Sequence, residues 1–243
     1  MSGHSKWHNI QRRKGKQDAE RGQLFTKLSR DIYHAAKDGG GNPDTNFRLK
    51  VALERAKANN LPADSISRTI AKATGTLAGV HYEEILYEGF GPEGVAILLD
   101  IVTDNRNRTA ADIRHIFKKR GGNLGESGSV AWMFQRKGVL SLASSGELEV
   151  GDDLLALALE AGAEDIRSGE EGIEIITAPE DFSTVRSNLE SHGLVLADAE
   201  LTYEPTTPVE VSTEGEEMVL DLLETLESHD DVQNVYTNAS FEK

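Results

Sequence analysis

The chain has 243 residues, contains no cysteine and carries a formal net charge of −15 at pH 7. Disulfides and thiolate metal sites are therefore excluded, which fits a reducing cytosol. No apolar run is long enough to cross a membrane, and the first residues lack the apolar core of a signal peptide. These features predict a cytoplasmic protein without membrane segments.

The charge is distributed unevenly along the chain. Residues 1–80 hold 15 Lys and Arg against 7 Asp and Glu, whereas residues 81–243 hold 11 against 34. A chain polarised in this way attracts phosphate at one end and repels it at the other. The basic end therefore predicts a polyanionic partner, although a basic tail that is merely solvated is the alternative.

The basic end predicts an arm followed by three short helices. Residues 1–22 contain little apolar surface and are expected to be mobile when unbound. Apolar residues then recur at helical spacing over residues 24–36, about 45–59 and 62–73. Amphipathic helices joined by short loops predict a three-helix bundle over residues 23–79.

The next elements predict a domain that is interrupted. Residues 94–102 read as a buried strand and residues 109–120 as a helix, because Thr109 and Asp112 are spaced like a capping box. Residues 130–134 could form the next strand.

The pattern over residues 137–205 is β-α-β-β-α-β, which is a complete ferredoxin-like unit. A strand, a helix and a strand follow it. We expect residues 80–136 and 206–243 to form one α/β domain, into which residues 137–205 are inserted. The predicted fold class is α+β: an N-terminal three-helix bundle plus two ferredoxin-like α/β domains, one inserted in the other.

The arm and the start of the first helix hold the strongest candidate binding residues. Flexible cations attract phosphate, release its counterions and become ordered on contact. Trp7 offers a flat face for an unstacked base, or it anchors the arm to the bundle, and the sequence leaves both roles open. The candidates are His4, Lys6, Trp7, Arg12, Arg13, Lys14, Lys16, Arg21 and Lys27.

A second basic patch follows the predicted strand. Residues 104–137 hold 8 Lys and Arg against 3 Asp and Glu. Arg106 and Arg108 lie at a strand-to-helix turn, where they can donate to phosphate together with the free N–H groups of the helix start. Ordinary helix capping is the alternative role for the other polar residues of this turn, Asp104, Asn107 and Thr109.

No motif predicts catalysis, a resident cofactor or a small-molecule substrate. The seven histidines are scattered and none lies in a recognisable metal or triad motif. Residues 89–94 (GFGPEG) match the letters of a dinucleotide-binding fingerprint, but a strand follows where that fingerprint needs a helix, so we expect a turn between strands. If Met1 is removed, the Ser-Gly-His terminus can form a nitrogen site for Cu(II) or Ni(II), although a mobile binding tail uses the same residues.

Four stretches resemble the YebC family, whose mitochondrial relatives are called translational activators of cytochrome c oxidase. They are SGHSKWHNI with the following RRK, FTKLSRDIYHAAKDGGGNPDTNFRL, YEGFGPEGVAILLDIVTDNRNRT and FKKRGGNLGESGSVAWMF. The resemblance implies a three-domain α/β protein and a cytoplasmic regulator, usually labelled a probable DNA-binding transcriptional regulator. Some relatives are instead described as acting on the translating ribosome. No cofactor or catalytic residue comes with the family.

Two hypotheses about the partner therefore remain open. The family label favours a DNA-binding transcriptional regulator, although the sequence contains no clear helix-turn-helix. A basic arm that contains Trp suits structured RNA, which favours a translation factor bound to ribosomal RNA or the ribosome. Both hypotheses predict a nucleic acid as the partner and no membrane contact.

Overall fold

The structure is a computed structural model that describes residues 21–77, 82–142, 151–169 and 172–241. The described part of the chain divides into two compact units. The split unit comprises the residues up to Phe134 and those from Pro205 onward, and the inserted unit comprises Gln135–Glu204.

Three helices open the described chain. Their bounds are α1 Arg21–Gly39, α2 Phe47–Ala58 and α3 Ala63–Ala73. Helices α2 and α3, with 12 and 11 residues, are marginal alone, and burial of an apolar face shared with α1 stabilises them. The residues buried in their common core are Leu28, Ile32, Ala35, Ala36, Leu49, Ala52, Leu53, Ala56, Leu61 and Ile66.

Asn46 fixes the turn between the first two helices. Its side-chain oxygen accepts the backbone N–H of Leu49 at 3.1 Å, which caps the start of α2. Its Nδ2 donates to the carbonyl oxygens of Ala35 at 2.6 Å and Gly40 at 2.8 Å. One side chain thus satisfies an orphan donor of α2 and also binds two backbone carbonyl groups at the end of α1.

Strands and helices alternate after α3. The next elements are β1 Glu83–Phe90, β2 Ala96–Thr103, α4 Arg106–Lys119 and β3 Asn123–Leu124. They are followed by β4 Phe134–Leu142, α5 Asp152–Ala161, β5 Asp165–Gly169, β6 Gly172–Thr177, α6 Phe182–Ser191 and β7 Leu196–Pro205. The last described elements are β8 Val209–Val211, α7 Thr213–Glu227, β9 Val232–Thr237 and β10 Ala239–Phe241.

The sheet of the split unit has the strand order β3-β1-β2-β9, and all neighbouring strands are antiparallel. Helices α4 and α7 pack on one face of it. Leu99 of β2, Phe117 of α4 and Leu222 of α7 are fully buried in this core. Burying a side chain of this size contributes about 1.5–3 kcal/mol relative to leaving it exposed.

The inserted unit has its own four-stranded sheet, in the order β5-β6-β4-β7. Strand β6 is antiparallel to both β4 and β5. This order and the element sequence β-α-β-β-α-β are those of a ferredoxin-like unit. The α+β fold class, with N-terminal helices followed by two sheet domains, is confirmed. The predicted boundaries of the arm, the bundle and the two domains stay predictions.

The predicted start of α4 is wrong by three residues. The helix begins at Arg106, because the Asn105 side chain accepts the N–H of Arg108 at 3.1 Å and caps it. Thr109, the predicted cap, is buried inside the helix.

The predicted strand at residues 130–134 is also wrong. A single turn of 3-10 helix occupies Ala131–Met133, and strand β4 begins only at Phe134. The backbone N–H groups of Val130 and Ala131 bind the Glu88 carboxylate, so they are not available to a strand partner. The predicted turn between strands is confirmed: Gly89 and Phe90 are the last residues of β1, and the turn that follows them joins β1 to β2.

Candidate nucleic-acid interface

Helix α4 presents a row of exposed cations. Arg106, Arg114 and Lys118 are exposed and are separated by eight and four residues, so they lie along one side of the helix. Within the described part of the chain, no acidic side chain forms an ion pair with any of them. We call these three residues the α4 basic face.

Tyr87 of β1 lies beside the first half of this face. Its hydroxyl donates to the carbonyl oxygen of Arg106 at 3.3 Å. Burial raises the pKa of the Tyr87 hydroxyl, and the charges of Arg106 and Arg114 oppose this effect. Both guanidinium groups therefore act on the same position, and their field there is positive.

Arg108 has a different environment, although it lies only two residues from Arg106. It donates to Asp104 at 2.8 Å and to Asp231 at 3.0 Å, and these hydrogen bonds raise the pKa of the Arg108 guanidinium. Both contacts use the same terminal nitrogen. The side chain is 48% exposed, and its other nitrogens have no partner among the described residues.

Asp231, in the turn before β9, is the centre of a buried polar cluster that connects this turn to α1, β2 and α4. Its Oδ1 accepts from Arg30 of α1 at 2.9 Å. Its Oδ2 accepts from Thr109 at 2.6 Å, Arg108 at 3.0 Å and Thr103 at 3.2 Å. We call these five residues the Asp231 cluster.

The electrostatics of Asp231 follow from these contacts. Burial alone would raise the pKa of the Asp231 carboxyl, but the hydrogen bonds from Thr109 and Arg108 and the charge of Arg30 outweigh burial and lower the pKa. Asp231 is therefore ionised at neutral pH and holds two arginines. Cations of this cluster compensate a buried carboxylate, which makes them less available to a ligand.

Lys27, a predicted binding residue, lies against the end of another helix. Its Nζ donates to the carbonyl oxygen of Glu227, the last residue of α7, at 2.8 Å. Gln23 donates to the next carbonyl oxygen, that of Ser228, at 3.0 Å. Burial lowers the pKa of Lys27, while the charges of Glu227 and its acidic neighbours oppose that shift. A cation at the negative end of a helix dipole is a stabilising arrangement.

The structure thus brings Arg106 to an open surface and places Arg108 and Lys27 in internal contacts. Arg21 is the first residue of α1. The remaining candidates, His4, Lys6, Trp7, Arg12, Arg13, Lys14 and Lys16, lie outside the described residues.

The described residues contain no group of three or more His, Asp or Glu side chains that could hold a metal ion. Over the same residues, no helix is both long enough and apolar enough to span a bilayer.

Sequence reasoning missed Asp231 as the partner of Arg30 and Arg108. No local signal could have found it, because Asp231 is more than 120 residues from Arg108 in the chain. Arg114 and Lys118 were noted only as part of a basic stretch. Their helical spacing was the available signal, but it becomes useful only when the true start of α4 is known.

Two family models match the chain. The one described as "TACO1/YebC protein N-terminal domain" matches residues 5–76, and the one described as "TACO1/YebC second and third domain" matches residues 82–239. The chain belongs to the TACO1/YebC family. The α4 basic face and the Asp231 cluster both lie within the second matched region, apart from Arg30.

Members of the TACO1/YebC family resemble the chain over nearly their whole length. A "Probable transcriptional regulatory protein" of Clostridium tetani is 52% identical over 241 residues, which cover 99% of this chain and 98% of the relative. One of the same name from Natranaerobius thermophilus is 53% identical over 239 residues, covering 98% and 96%. A conserved hypothetical protein from Aquifex aeolicus, known from a crystal structure, is 44% identical in sequence to this chain. The two structures match with a TM-score of 0.84 over 93% of each chain.

Proposed function

We propose that this protein is a non-catalytic, cytoplasmic regulator of gene expression that binds nucleic acid, and that it is a DNA-binding transcriptional regulatory protein. The observation that carries the proposal is the α4 basic face, whose three cations are exposed and have no acidic partner among the described residues. Unpaired cations in a chain with a net charge of −15 are suited to a polyanion. The names of the full-length relatives support the regulatory role.

The dimensions of the α4 basic face suit a phosphate backbone. Arg106 and Lys118 are twelve residues apart, which is roughly 18 Å along a helix axis. Along a duplex axis that length spans about five base pairs, with a rise of ~3.4 Å each. The face can therefore contact several phosphates of one strand at once, and contacts of this kind position a ligand without reading its sequence.

The charge of the inserted unit favours binding of a polyanion elsewhere on the protein. Gln135–Glu204 contain 4 Lys and Arg against 16 Asp and Glu, so the inserted unit repels phosphate. Attraction to the α4 basic face and the N-terminal arm, together with this repulsion, directs a polyanion to the basic residues and not to the inserted unit.

A ribosome- or RNA-bound translation factor is the second candidate. Helix α4 follows β2 and precedes β3, so it is not the second helix of a helix-turn-helix, and it buries Ile113 and Phe117 against the sheet. Its exposed side offers phosphate contacts more readily than base contacts in a major groove. This arrangement serves RNA as well as DNA, and the proposed experiment therefore includes both.

The proposal is tested by two triple variants with the same net charge. The first replaces the α4 basic face with alanines. The control replaces three exposed lysines of α2 and α3, Lys50, Lys57 and Lys72. Affinity for duplex DNA, duplex RNA and single strands is measured between 50 and 200 mM salt, an interval over which phosphate contacts dominate the response.

Loss of three phosphate contacts should reduce the slope of log affinity against log salt by about 2.7 for duplex DNA and about 2 for single strands. The control should change the slope by less than half as much. Equal slopes for the two variants would show that net charge alone governs binding and would overturn the role of α4. A protein that binds no nucleic acid at any of these salt concentrations would overturn the proposed function.

A further inference from the structure

A buried carboxylate organises the loop between β3 and β4. Glu88, in β1, is only 4% exposed. Its two carboxylate oxygens accept the backbone N–H groups of Gly128 at 2.6 Å, Val130 at 2.7 Å and Ala131 at 2.7 Å. Burial alone would raise the pKa of Glu88, but these three N–H groups outweigh burial and lower the pKa. An ionised carboxylate thus holds three backbone N–H groups of this loop in place.

Other contacts leave this loop little freedom. Gly125 donates to the carbonyl oxygen of Glu88 at 2.7 Å, and a Cβ at Gly125 would lie 2.5 Å from the Ser129 hydroxyl. Gly128 has a φ of +87°, a conformation that glycine adopts without strain. At the far end, the Met133 carbonyl oxygen accepts the N–H of Thr206 at 2.8 Å.

This rigid loop presents an exposed indole. Trp132 is 67% exposed, although Trp is among the residues that gain most from burial. Its one polar atom, Nε1, already donates to the Ser129 carbonyl oxygen at 3.1 Å. The solvent-facing part of Trp132 is therefore the apolar ring surface, held in a fixed orientation, and it can bind a ligand by stacking.

We propose that Trp132 is a stacking platform for an unpaired base of the bound nucleic acid, and that Glu88 positions it. The inference rests on the proposed nucleic-acid-binding function and specifies the form of nucleic acid. In a duplex the base faces are hidden by their neighbours, so only single strands, loops or bulges offer a face to the indole. Stacking of this kind tolerates any base and both sugar types.

The surroundings of Trp132 favour a base over a protein surface. Protein docking sites are contiguous apolar patches. The other large apolar side chains that are exposed in the described part of the split unit are Leu77, which follows α3, and Met218, on α7. A single flat ring on a rigid loop fits one planar ligand group.

Fluorescence isolates Trp132 directly, because the chain contains two tryptophans and Trp7 can be replaced by Phe. The full-length W7F protein is titrated with mixed-sequence 12-mers of single-stranded RNA and DNA. A closed-end duplex of the same sequence offers phosphates without an exposed base face. Single strands should quench Trp132 to saturation, and the closed duplex should leave its emission unchanged.

Affinity measurements on two further variants separate stacking from charge. Trp132→Ala should weaken single-strand binding by roughly 5- to 150-fold, the range given by loss of one stacked base. Its affinity for the closed duplex should stay within twofold of the parent, and Trp132→Phe should retain most of the single-strand affinity. The affinities for single-stranded RNA and single-stranded DNA then show which type of strand Trp132 prefers.

Glu88→Gln tests the positioning role. The variant keeps the shape of the side chain but weakens its bonds to the loop, so the single-strand affinity should fall while the closed-duplex affinity does not. A merely structural role would lower both affinities together.

Four outcomes would overturn the inference. Equal single-strand affinity of the parent and Trp132→Ala, with unchanged emission, would remove the platform and leave the proposed function standing. An equal loss for single strands and closed duplex would exclude stacking. A blue shift of the Trp132 emission on addition of RNA-free ribosomal proteins, with no change on addition of any oligonucleotide, would show that the indole contacts a protein. Absence of binding to every probe by the unmodified protein would overturn the proposed function as well.

Discussion

The Asp231 cluster and the α4 basic face both contain arginines, yet the structure uses them in opposite ways. Arg30 is buried against Asp231, whereas Arg114 is exposed and has no acidic partner among the described residues. The first arrangement joins α1 to the sheet of the split unit, and the second leaves charge available to a ligand. The number of cations in this region therefore overestimates the charge that a ligand can contact, because some of the cations neutralise the buried Asp231 carboxylate.

The two regions also differ in what they contribute to stability. A buried ion pair recovers its desolvation cost only while both partners are present, and removal of one partner typically costs 3–5 kcal/mol. An exposed, unpaired cation contributes little to folding, and its replacement usually changes stability by less than about 0.5 kcal/mol. The predictions below test this division from the largest expected effect to the smallest.

Asp231→Ala should produce the largest change. It leaves Arg30 buried without its carboxylate, so we expect the free energy of unfolding of the split unit to fall by about 3–5 kcal/mol. Urea unfolding of the full-length protein measures this loss. Arg114→Ala is the matched control and should change stability by less than about 0.5 kcal/mol. A similar loss in the free energy of unfolding for the two variants would contradict the stabilising role of the Asp231 cluster.

Replacement of four arm cations, Arg12, Arg13, Lys14 and Lys16, by alanine should have the next largest effect. Four lost phosphate contacts reduce the slope of log affinity against log salt by about 3.6 for duplex DNA. Phosphate contacts carry no base information, so binding should weaken evenly across sequences. Unchanged affinity in this variant would mean that the arm is not a binding element.

Single substitutions sharpen the contrast between internal and exposed cations. Arg114→Met should reduce the salt slope for duplex DNA by about 0.9, the share of one phosphate contact. Lys27→Met should leave the slope unchanged, because the Lys27 ammonium is engaged by the Glu227 carbonyl oxygen. A loss of slope in Lys27→Met as large as that in Arg114→Met would place Lys27 in the interface.

The smallest effect is expected at an ion pair that is neither buried nor free. Glu84 accepts from His34 at 2.9 Å and Arg48 at 2.6 Å, and the bond from His34 is the main cause that lowers the pKa of Glu84 to about 2. A lowered pKa in the folded state means that the stabilisation is present above the unfolded pKa, near 4.5, and is lost as the pH falls towards 2.

Glu84→Gln should therefore reduce the acid sensitivity of unfolding between pH 4.5 and pH 2. The Glu84 side chain is 43% exposed, so solvent screening limits the difference to about 1 kcal/mol or less. Parallel stability curves for the parent and the variant over this range would contradict the assignment.

Much of the fold could be predicted because its periodicities are local. Apolar residues at helical spacing identified α1, α2 and α3, and the β-α-β-β-α-β pattern identified the inserted sheet. The start of α4 could not be predicted, because Asn105 and Thr109 are both good caps. In the structure the Thr109 hydroxyl donates to Asp231, which is 122 residues away in the chain, and Asn105 is the cap.

The candidate site was less predictable than the fold for the same reason. The sequence around Arg106 and Arg108 does not show which of them is available to a ligand. The difference is the hydrogen bond from Arg108 to the distant Asp231. Residues 130–134 are mostly apolar and therefore read as a strand. In the structure the Glu88 carboxylate accepts the backbone N–H groups of Val130 and Ala131, and the segment forms the loop that contains Trp132.

Lysine reactivity in the unmodified protein tests the central claim most directly. Acetylation at low reagent concentration, with and without bound nucleic acid, is read at every lysine by mass spectrometry. The account predicts that the ligand protects Lys118 and the arm lysines, and that the exposed lysines of α2 and α3 react at the same rate in both states. Protection of Lys50, Lys57 and Lys72 with Lys118 unprotected would contradict it.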